Sequence, residues 1–454
     1  MATALIVLAA GKGTRMESDL PKVLHRIAHA PMLVHAMLAG ASLSPERTVV
    51  VTGFGGDQVA HAAQDHDPDV RIAHQSEQLG TAHAVAQARP ALSDFTGDAL
   101  VLYGDTPFIR PDTLEAMAAA RAHHDVVVLG FDAADPGKYG RLVTQGDTLL
   151  RIVEFKDATP DERAITLCNS GVVMTDAQVL FDLIDAVGND NASGEYYLTD
   201  IVEIAHARGL SATAVTCNEA ETLGVNSRTQ LAEAEAAFQA RARADLLALG
   251  VTLQAPDTLH LAYDTLIGRD VEIEPNVVFG PGVTVETGAT LRAFSHFEGC
   301  HISRGAVVGP YARLRPGAEL AEDVKVGNFV EIKNALIAEG AKVNHLSYVG
   351  DADVGARANL GAGTITCNYD GVFKHRTTIG AGAFIGSNTM LVAPVTIGAQ
   401  AMTASGSVIT SDVGPGDLAV SRSPQETKRG LGKRLMDKLR SRKAAQKVKE
   451  TPNG

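Results

Sequence analysis

A period of six residues in the second half of the chain constrains the fold more than any other feature. Large apolar side chains recur at every sixth position from Ile267 to Phe297, and again, after one five-residue step, from Ile302 to Ile332. Neither an α-helix (3.6) nor a single strand (2) has this period, whereas a parallel β-helix of hexapeptide repeats does. The predicted inward positions are Ile267, Ile273, Phe279, Val285, Leu291, Phe297, Ile302, Val308, Leu314, Leu320, Val326, Ile332, Ile337, Val343, Val349, Ile379, Ile385, Leu391 and Ile397.

The repeat is interrupted between Ile365 and Ile379, where residues 366–375 fit no six-residue step. An insertion in a solenoid forms a loop that leaves the coil, and such loops often carry function. A tolerated surface excursion is the alternative that the sequence leaves open.

The first half alternates strands with helices. This order predicts a mainly parallel sheet covered by helices. Ligands of such sheets bind at the carboxyl ends of the strands, here the loops at Gly11, Gly53 and Gly104. The predicted strands are Ala4–Ala9, Thr48–Thr52, Ala99–Tyr103 and Asp125–Phe131, and the predicted helices are Pro31–Ser42 and Pro111–His123.

A long helix separates the two halves. Residues Gln230–Leu249 are rich in Ala, Glu and Arg, and Leu231, Phe238, Ala242, Leu246 and Leu249 can share one helical face. We predict that this helix ends at Gly250. The predicted domains are residues 1–228, a linker helix at 229–249, and residues 250–454 with a basic tail.

Charge argues against nucleic-acid binding by the body of the protein. The chain has 40 Lys+Arg and 53 Asp+Glu, a formal net charge of −13. From Arg422 to the end, 11 basic and 3 acidic residues give a local charge of +8. Such a tail is usually solvated and partly disordered, and it could also meet a phosphate group.

Composition points to the cytoplasm. No apolar stretch approaches the roughly 20 residues of a membrane span, and the apolar run Ala4–Ala10 lacks the basic flank of a signal peptide. The cysteines form no C-x-x-C pair, which favours reduced thiols. We expect no membrane and no nucleic-acid partner. The four cysteines are Cys168, Cys217, Cys300 and Cys367.

A glycine-containing loop follows the first predicted strand. Gly11 and Gly13 allow backbone N–H groups to turn toward a phosphate, which Lys12, Arg15 and Lys22 can neutralise. The loop is neither a Walker A motif nor a complete dinucleotide fingerprint. By itself it is equally consistent with a tight strand-to-helix turn.

Asp105 ends another buried strand. A carboxylate there is costly unless it is paired or binds a metal, although an exposed helix cap or turn is the simpler alternative. With a phosphate loop nearby, a ligand for Mg²⁺ becomes the favoured interpretation, because Mg²⁺ bridges carboxylates and substrate phosphates.

These residues resemble a known family. The run Leu8–Met16 with Pro21 and Lys22 is similar to the sugar-phosphate nucleotidyltransferases. With the hexapeptide half, residues 3–425 resemble the bacterial bifunctional N-acetylglucosamine-1-phosphate uridylyltransferases/glucosamine-1-phosphate N-acetyltransferases. Further matching motifs are Gln75, Leu79–Ala82, Tyr103–Asp105, Tyr139–Arg141, Glu154, Asn169–Gly171 and Gly224–Asn226.

The resemblance implies an N-terminal α/β pyrophosphorylase domain with a Rossmann-like mixed sheet. There N-acetylglucosamine 1-phosphate would attack UTP and release pyrophosphate, so the protein would supply cations and alignment. Arg15 and Lys22 would hold the triphosphate, and Asp105 and Asn226 would bind Mg²⁺. The other nucleotide and sugar contacts implied are Leu8, Ala9, Ala10, Gly11, Gln75, Gly80, Thr81, Tyr103, Gly104, Gly140, Glu154 and Asn169.

The resemblance also implies a C-terminal left-handed parallel β-helix that acetylates glucosamine 1-phosphate with acetyl-CoA. The sugar amine must be unprotonated, and a histidine is a suitable general base. His345 could merely fill a coil corner, but the resemblance makes it the base. Arg315 and Lys333 would hold the sugar phosphate, with Tyr348 and Asn359 completing the sugar site. The implied acetyl-CoA contacts are Ala362, Asn368, Tyr369, Ser387, Ser405 and Arg422.

Three further expectations accompany this resemblance. The family often has Ala where Ser405 stands, and since the contact would be through the backbone we expect little effect. Cys367 is expected to be a loop thiol near the chemistry rather than a nucleophile. Family members form homotrimers with active sites between subunits, so Arg422 and the basic tail could reach a neighbour's CoA phosphates.

Two other functions remain to be weighed. A single-activity nucleotidyltransferase would use the β-helix only for assembly or regulation, which His345, Lys333 and Tyr348 argue against. A non-catalytic sugar-nucleotide-binding scaffold would have no use for Asp105 and Asn226 as a metal pair.

Overall fold

The computed structural model describes residues 2–450, with only the backbone of residues 447–450. The chain forms two compact units. The first holds residues up to Val251 together with Ala255–Leu266 and Val278–Val283, and the second holds Thr252–Gln254, Ile267–Val277 and residues from Thr284 onward. The predicted boundaries at 228 and 249 stay predictions, and residues 451–454 of the predicted last domain lie outside the described residues.

The first unit is built on a mixed sheet with helices on both faces. Its helices are α1 (Met32–Ala41), α2 (Gly56–His66), α3 (Thr81–Ala86), α4 (Pro111–Arg121), α5 (Pro160–Arg163), α6 (Ala177–Ile184), α7 (Asp200–Ala207) and α8 (Arg228–Ala248). Its strands are β1 (Thr3–Ala9), β2 (Arg26–Ile27), β3 (Ala30–Pro31), β4 (Arg47–Thr52), β5 (Arg71–His74), β6 (Asp98–Tyr103), β7 (Val126–Asp132), β8 (Arg141–Gln145), β9 (Thr148–Val153), β10 (Leu167–Asp176) and β11 (Ala212–Cys217).

The strand order of the sheet is β11-β7-β10-β6-β1-β4-β5, with β8 and β9 attached beside β10, while β2 and β3 form a separate ribbon. β10 runs antiparallel to both of its neighbours, β6 and β7, whereas β1, β4, β5 and β6 are parallel. The predicted Rossmann-like mixed sheet is confirmed. The six predicted strands and helices of this half all occur, with ends displaced by at most two residues.

β1 shows why the sheet is buried on both faces. All seven of its residues are buried. Ile6 and Leu8 pack into one apolar cluster, and Leu5 and Val7 pack into another, because successive side chains of a strand point to opposite faces. The strand ends at Ala9, so the backbone that follows it is free to line a cavity.

The predicted long helix is α8. It begins two residues earlier than predicted because the Ser227 hydroxyl accepts a hydrogen bond from the Gln230 amide (3.2 Å) and caps its N-terminus. Phe238 and Leu246 are buried as predicted. Leu249 is exposed, so its place on the apolar face was wrong: the helix has already ended at Ala248.

The second unit consists mainly of parallel strands stacked coil upon coil. Glu272 pairs with Thr290 and Thr290 with Val307, so neighbouring strands lie 18 or 17 residues apart, about three hexapeptides per coil. Eighteen of the nineteen predicted inward side chains are buried, and Ile267 is half-buried. The parallel β-helix predicted from the period is confirmed.

Short strands make up the coils in the described part of the chain, and those at Leu266 and Val278–Phe279 belong to the first compact unit. In chain order, β12 to β35 are Thr252–Leu253, Leu266–Ile267, Glu272–Ile273, Val278–Phe279, Thr284–Val285, Thr290–Leu291, His296–Phe297, Cys300–Ile302, Val307–Val308, Arg313–Leu314, Ala318–Leu320, Lys325–Asn328, Glu331–Ile337, Lys342–His345, Tyr348–Val354, Asn359–Leu360, Ile365–Cys367, Thr377–Ile379, Phe384–Ile385, Met390–Val392, Val395–Ile397, Met402–Thr403, Val408–Ile409 and Leu418–Ala419.

The inserted segment leaves the coil. Asn359 pairs with Phe384, 25 residues further on, so this coil is longer by about seven residues than its neighbours. The basic tail forms helix α9 (Leu431–Glu450), almost wholly exposed as far as residue 446. The described part of the tail is therefore solvated as expected as far as residue 446, and residues 431–450 are helical rather than disordered. No helix in the described part of the chain combines the length and apolarity that a bilayer-spanning segment requires.

Candidate active sites

A cavity of about 330 Å³ opens at the carboxyl ends of β1 and β6. Val23, Gln78, Ala84 and Glu195 line it although the sequence analysis did not single them out. The polar spacing Gln75-x-x-Gln78 was the one sequence signal that pointed to Gln78. Ten predicted contacts line the cavity: Leu8, Ala9, Ala10, Gly11, Lys22, Gln75, Gly80, Thr81, Tyr103 and Asp105.

Lys22 joins the two predicted metal ligands. Its ammonium group donates hydrogen bonds to the Asp105 carboxylate and to Asn226 Oδ1 (2.9 Å). The backbone N–H of Val225 donates to the carbonyl of Asp105 (3.0 Å), which ties the loop after β6 to the segment before α8. Two oxygen acceptors thus converge on one ammonium group although 121 residues separate them in the chain.

This pair of oxygens fits a hard divalent cation. Among the described residues, no group of three or more His, Cys, Asp or Glu side chains could hold a metal. An ion at Asp105 and Asn226 would therefore have two protein ligands and would depend on phosphate and water for the rest. That arrangement is typical of Mg²⁺ in nucleotide sites.

Two glutamine amides, one buried and one exposed, line another part of the cavity. Gln75 is buried, and its Nε2 donates to the Gly80 carbonyl (3.2 Å) and to His83 Nδ1 (3.0 Å). Gln78 Nε2 donates to the Ala10 carbonyl (2.7 Å), so it braces the loop after β1. These contacts give the cavity a rigid wall with hydrogen-bonding groups.

Gly140, Glu154 and Asn169 come together as predicted, but they do not line the main cavity. The Asn169 amide donates to the Gly140 carbonyl (2.9 Å), and a Cβ on Gly140 would lie 3.5 Å from Glu154 Oε1. Burial raises the pKa of Glu154, against the opposing hydrogen bond from Thr199 (3.2 Å). Tyr103 lines the main cavity and also lies beside Asn169. Burial, followed by the charges of Asp105 and Glu154, raises the pKa of Tyr103.

Two predicted residues are placed differently. Arg15 lies on a short 3-10 turn, Thr14–Met16, where its side chain is exposed and does not line the cavity. Gly104 lies beside it rather than in its wall: its amide donates to the Leu8 carbonyl (2.9 Å), and a Cβ there would come within 3.2 Å of that oxygen. Gly104 therefore permits a close approach of two strand ends.

The β-helix exposes His345 at a coil corner. Its Nδ1 lies 2.9 Å from Asn328 Oδ1 on the preceding coil. Its carbonyl accepts hydrogen bonds from the Ser347 hydroxyl (2.8 Å) and the Gly363 amide (3.2 Å). The imidazole is thus held on an ordered backbone, with Nε2 left for a ligand.

Three cationic side chains gather near one point. Arg315 donates to Glu331 Oε1 (2.8 Å), and its charge also acts on Lys333. The neighbouring Lys374 ammonium group is the largest of the influences that lower the pKa of Lys333, followed by burial. Lys374 was missed by the sequence analysis, although it is the single lysine within residues 366–375.

A buried carboxylate connects this cluster to the inserted loop. Asp351 accepts hydrogen bonds from Asn334 Nδ2 (2.6 Å) and from Asn368 Nδ2, and Asn368 Nδ2 also lies 3.5 Å from the Tyr348 hydroxyl. Burial acts to raise the pKa of Asp351, but these amides and the two lysine charges together hold it below its usual value. Asp351 thereby links predicted sugar-site and acetyl-CoA-site residues.

The remaining predicted acetyl-CoA residues form a column along one corner of the coils. The Ala362 carbonyl accepts from the Asn388 amide (2.7 Å), and the Ser387 carbonyl accepts from the Gly406 amide (2.8 Å). Arg422 donates a hydrogen bond to the backbone carbonyl of Ser405 (2.7 Å), and the expected backbone contact of Ser405 with acetyl-CoA stays a prediction.

Other predicted residues lie near this column. Tyr369 is exposed on the inserted loop, where its hydroxyl donates to the Gly371 carbonyl. Asn359 is half-buried on a strand that pairs with Lys342. Burial raises the pKa of Cys367, which disfavours the thiolate that a nucleophile needs.

The fold and these two sites define a class: a nucleotidyltransferase joined in one chain to a transferase of the hexapeptide type. Residues 5–164 match the MobA-like NTP transferase domain, and residues 376–411 match the bacterial transferase hexapeptide (six repeats). Proteins named bifunctional protein GlmU are similar over nearly the whole chain. That of Ruegeria sp. (strain TM1040) is 69% identical over 98% of this chain and 99% of its own.

Two further relatives show the same similarity over nearly the whole chain. The GlmU protein of Ruegeria pomeroyi is 70% identical over 99% of this chain and 100% of its own length, and that of Jannaschia sp. is 65% identical over 97% of each. The chain belongs to the bifunctional GlmU family. It is an enzyme of UDP-N-acetylglucosamine synthesis with an acetyltransferase and a uridylyltransferase activity.

Proposed function

We propose that the cavity of the first unit transfers the uridylyl group of UTP to N-acetylglucosamine 1-phosphate. A phosphate oxygen of the sugar forms the new bond to the α-phosphorus, the bond from that phosphorus to the bridging oxygen of the β-phosphate breaks, and pyrophosphate leaves. The observation that supports this is the convergence of Asp105 and Asn226 on Lys22, because Lys22 and Asp105 line the cavity of about 330 Å³.

Asp105 and Asn226 would hold Mg²⁺, which neutralises charge on the phosphate oxygens when it is bound. Lys22 adds a fixed positive charge beside them, and Arg15 adds another at the exposed edge of the loop. Two anions must meet in this reaction, so neutralisation and alignment supply most of the catalysis. No covalent nucleophile is required.

The base would be bound in the cavity, and the sugar would be bound by the separate cluster of Gly140, Glu154 and Asn169. Gln75, Gly80 and Thr81 with the Leu8–Gly11 backbone surround the space for uracil and ribose. Gly140, Glu154 and Asn169 present a carboxylate, an amide and open backbone to the amino sugar.

Replacing Asp105 by Ala tests this assignment. Uridylyl transfer should fall by about 10²-fold or more, because one of two protein ligands of the ion is lost. Pyrophosphate release is measured with UTP, N-acetylglucosamine 1-phosphate and Mg²⁺, and acetylation by the same preparation is the control. Unchanged uridylyl transfer would reject the metal assignment.

We propose that the β-helix uses His345 as the general base of acetyl transfer from acetyl-CoA to glucosamine 1-phosphate. His345 takes a proton from the sugar amine as its nitrogen attacks the thioester carbonyl. The carbon–sulfur bond then breaks, and the CoA thiolate takes up a proton. Arg315, Lys333 and Lys374 together carry three positive charges, which suits a phosphate dianion.

The acetyl-CoA site would be built from the inserted loop and the corner column. Asn368 and Tyr369 lie on the loop, Ala362, Ser387 and Ser405 supply stacked backbone groups, and Arg422 supplies a charge for the CoA phosphates. Tyr348 and Asn359 would complete the sugar site.

The His345→Ala variant tests this second proposal. Thiol release from acetyl-CoA in the presence of glucosamine 1-phosphate should fall by about 10²- to 10⁴-fold, the usual contribution of a general base. Uridylyl transfer should be unchanged. Loss of both activities in a folded protein would contradict separate sites, and retained acetylation would reject the base.

We also propose a homotrimer in the cytoplasm. Phe294, Tyr311 and Phe329 stack on one another on successive coils, with ring centroids 5.1 Å apart, and about half of each side chain is exposed. We call these three stacked rings the aromatic ladder. Leu346, next to His345, is also exposed and extends this apolar stripe by one coil. A contiguous apolar stripe of this kind is typical of an association surface. Four free cysteines agree with a reducing compartment.

A further inference from the structure

We propose that Asn328 is a positioning residue for acetyl transfer, which fixes His345 in the tautomer that carries its proton on Nδ1. The inference rests on the proposed role of His345 as base and assigns a partner to it. Asn328 touches neither reacting atom: it acts through the imidazole.

The geometry that carries the inference is a contact between neighbouring coils. Asn328 and His345 end two paired parallel strands and face each other in register. Asn328 Oδ1 lies 2.9 Å from His345 Nδ1, within hydrogen-bond distance. The amide of Leu346 also donates to the Asn328 carbonyl (3.0 Å), so the backbones on both sides of the contact are fixed.

The chemical reason lies in the two nitrogens of imidazole. A neutral histidine has one N–H donor and one bare acceptor, and only the bare nitrogen can take a proton. An acceptor at Nδ1 selects the tautomer with the proton there and leaves Nε2 bare. Without it the proton would be shared between the two sites, and the ring would lose its fixed orientation.

The other hydrogen bonds of His345 do not fix its tautomer or the orientation of its ring. Ser347 and Gly363 both bind the backbone carbonyl of His345 and leave the imidazole free to rotate. Among the described side chains, Asn328 is the hydrogen-bond partner of the ring. Losing it should therefore affect the chemical step more than substrate binding.

The test compares Asn328→Ala with Asn328→Asp in the full-length enzyme. An asparagine side chain can accept or donate a hydrogen bond, whereas an ionised carboxylate can only accept one. We expect Asn328→Ala to lower kcat of acetylation by about 10- to 100-fold with little change in either KM, which is less than the roughly 10²- to 10⁴-fold attributed to the base itself. Asn328→Asp should restore most of the lost kcat, and both should keep wild-type uridylyl transfer and melting temperature.

Asn344→Ala is the matched control, because Asn344 precedes His345 and its side chain makes no hydrogen bond to other described residues. A wild-type kcat in Asn328→Ala would overturn the inference, and so would an Asp variant as slow as the Ala variant. His345→Ala is measured alongside. If it retains acetylation, the base is wrong and the inference falls with it; if it alone loses acetylation, only the role of Asn328 is wrong.

Discussion

At the scale of single residues, the first unit concentrates carboxylates beside the cluster that we propose to bind the sugar. Asp200, at the start of α7, faces Glu203, Glu154 and Asp157. Burial, followed by repulsion from these three carboxylates, raises its pKa to about 6. The ionised form of Asp200 is therefore less stable in the folded protein than in the unfolded chain.

The sign of the pH dependence follows from this shift. The pKa of Asp200 in the folded state lies above the unfolded value of about 3.9, so its contribution to stability is most favourable below pH 4, declines up to about pH 6 and stays lower above it. Asp200→Asn should thus stabilise the protein at pH 7.5, by about 1 kcal/mol after allowance for solvent screening of this half-buried group. At pH 4 the gain should vanish.

Melting temperatures of the wild type and Asp200→Asn at the two pH values check this prediction. Asp147→Asn, at an exposed turn, is the control and should change neither. An equal shift at both pH values would show that the effect comes from packing rather than from ionisation.

At the scale of elements, the cavity wall depends on the turn that enters α3. Gly80 has φ +121°, a conformation that other residues rarely adopt, and a Cβ there would lie 2.5 Å from the Tyr196 carbonyl oxygen. That carbonyl accepts the Ala82 amide (2.9 Å), and the Tyr196 amide donates to the Leu79 carbonyl (2.8 Å). The loop before α7 and the turn before α3 can therefore pack this closely only if residue 80 is a glycine, whose side chain is a hydrogen atom.

We predict that Gly80→Ala distorts the cavity and lowers uridylyl transfer by about 10-fold or more, since backbone strain of 1–3 kcal/mol must be relieved by moving the turn. Gly188→Ala is the matched control, because Gly188 has ordinary φ and nothing within 4 Å of a built Cβ. Pyrophosphate release is the assay for both. Equal rates for the two variants would show that the turn tolerates a side chain.

At the scale of the whole molecule, the aromatic ladder predicts how copies of the chain associate. Phe329 lies in the middle of Phe294, Tyr311, Phe329 and Leu346, and this stripe runs beside His345. If the stripe is buried between subunits, a carboxylate within it would lose its hydration without gaining a partner.

Phe329→Glu should therefore convert the proposed trimer to monomers. The rate of acetylation should fall by about tenfold or more, which corresponds to about 1.4 kcal/mol in the activation free energy. Uridylyl transfer per chain should persist, since its cavity lies within the first unit. Sedimentation velocity measures the mass, and Leu249→Glu, at an exposed helix end, is the control. A trimer in the Phe329→Glu variant would place the interface elsewhere.

The sequence by itself determined the elements and the kind of chemistry. The six-residue period fixed the β-helix because only stacked coils bury a side chain at that spacing, and eighteen of nineteen inward positions are buried. The continuous apolar run of β1 likewise fixed a central strand. These are local or periodic signals, which a single pass along the chain can detect.

Only the tertiary structure decided which groups meet. The antiparallel β10, the joining of Lys22 to Asn226, and the approach of Lys374 to Lys333 all depend on how distant segments pack. Asn328 carries no distinctive pattern of its own, because an amide acquires a role only from the atom that it faces. Contact between remote residues is a property of the folded chain, and the local sequence around each partner does not record it.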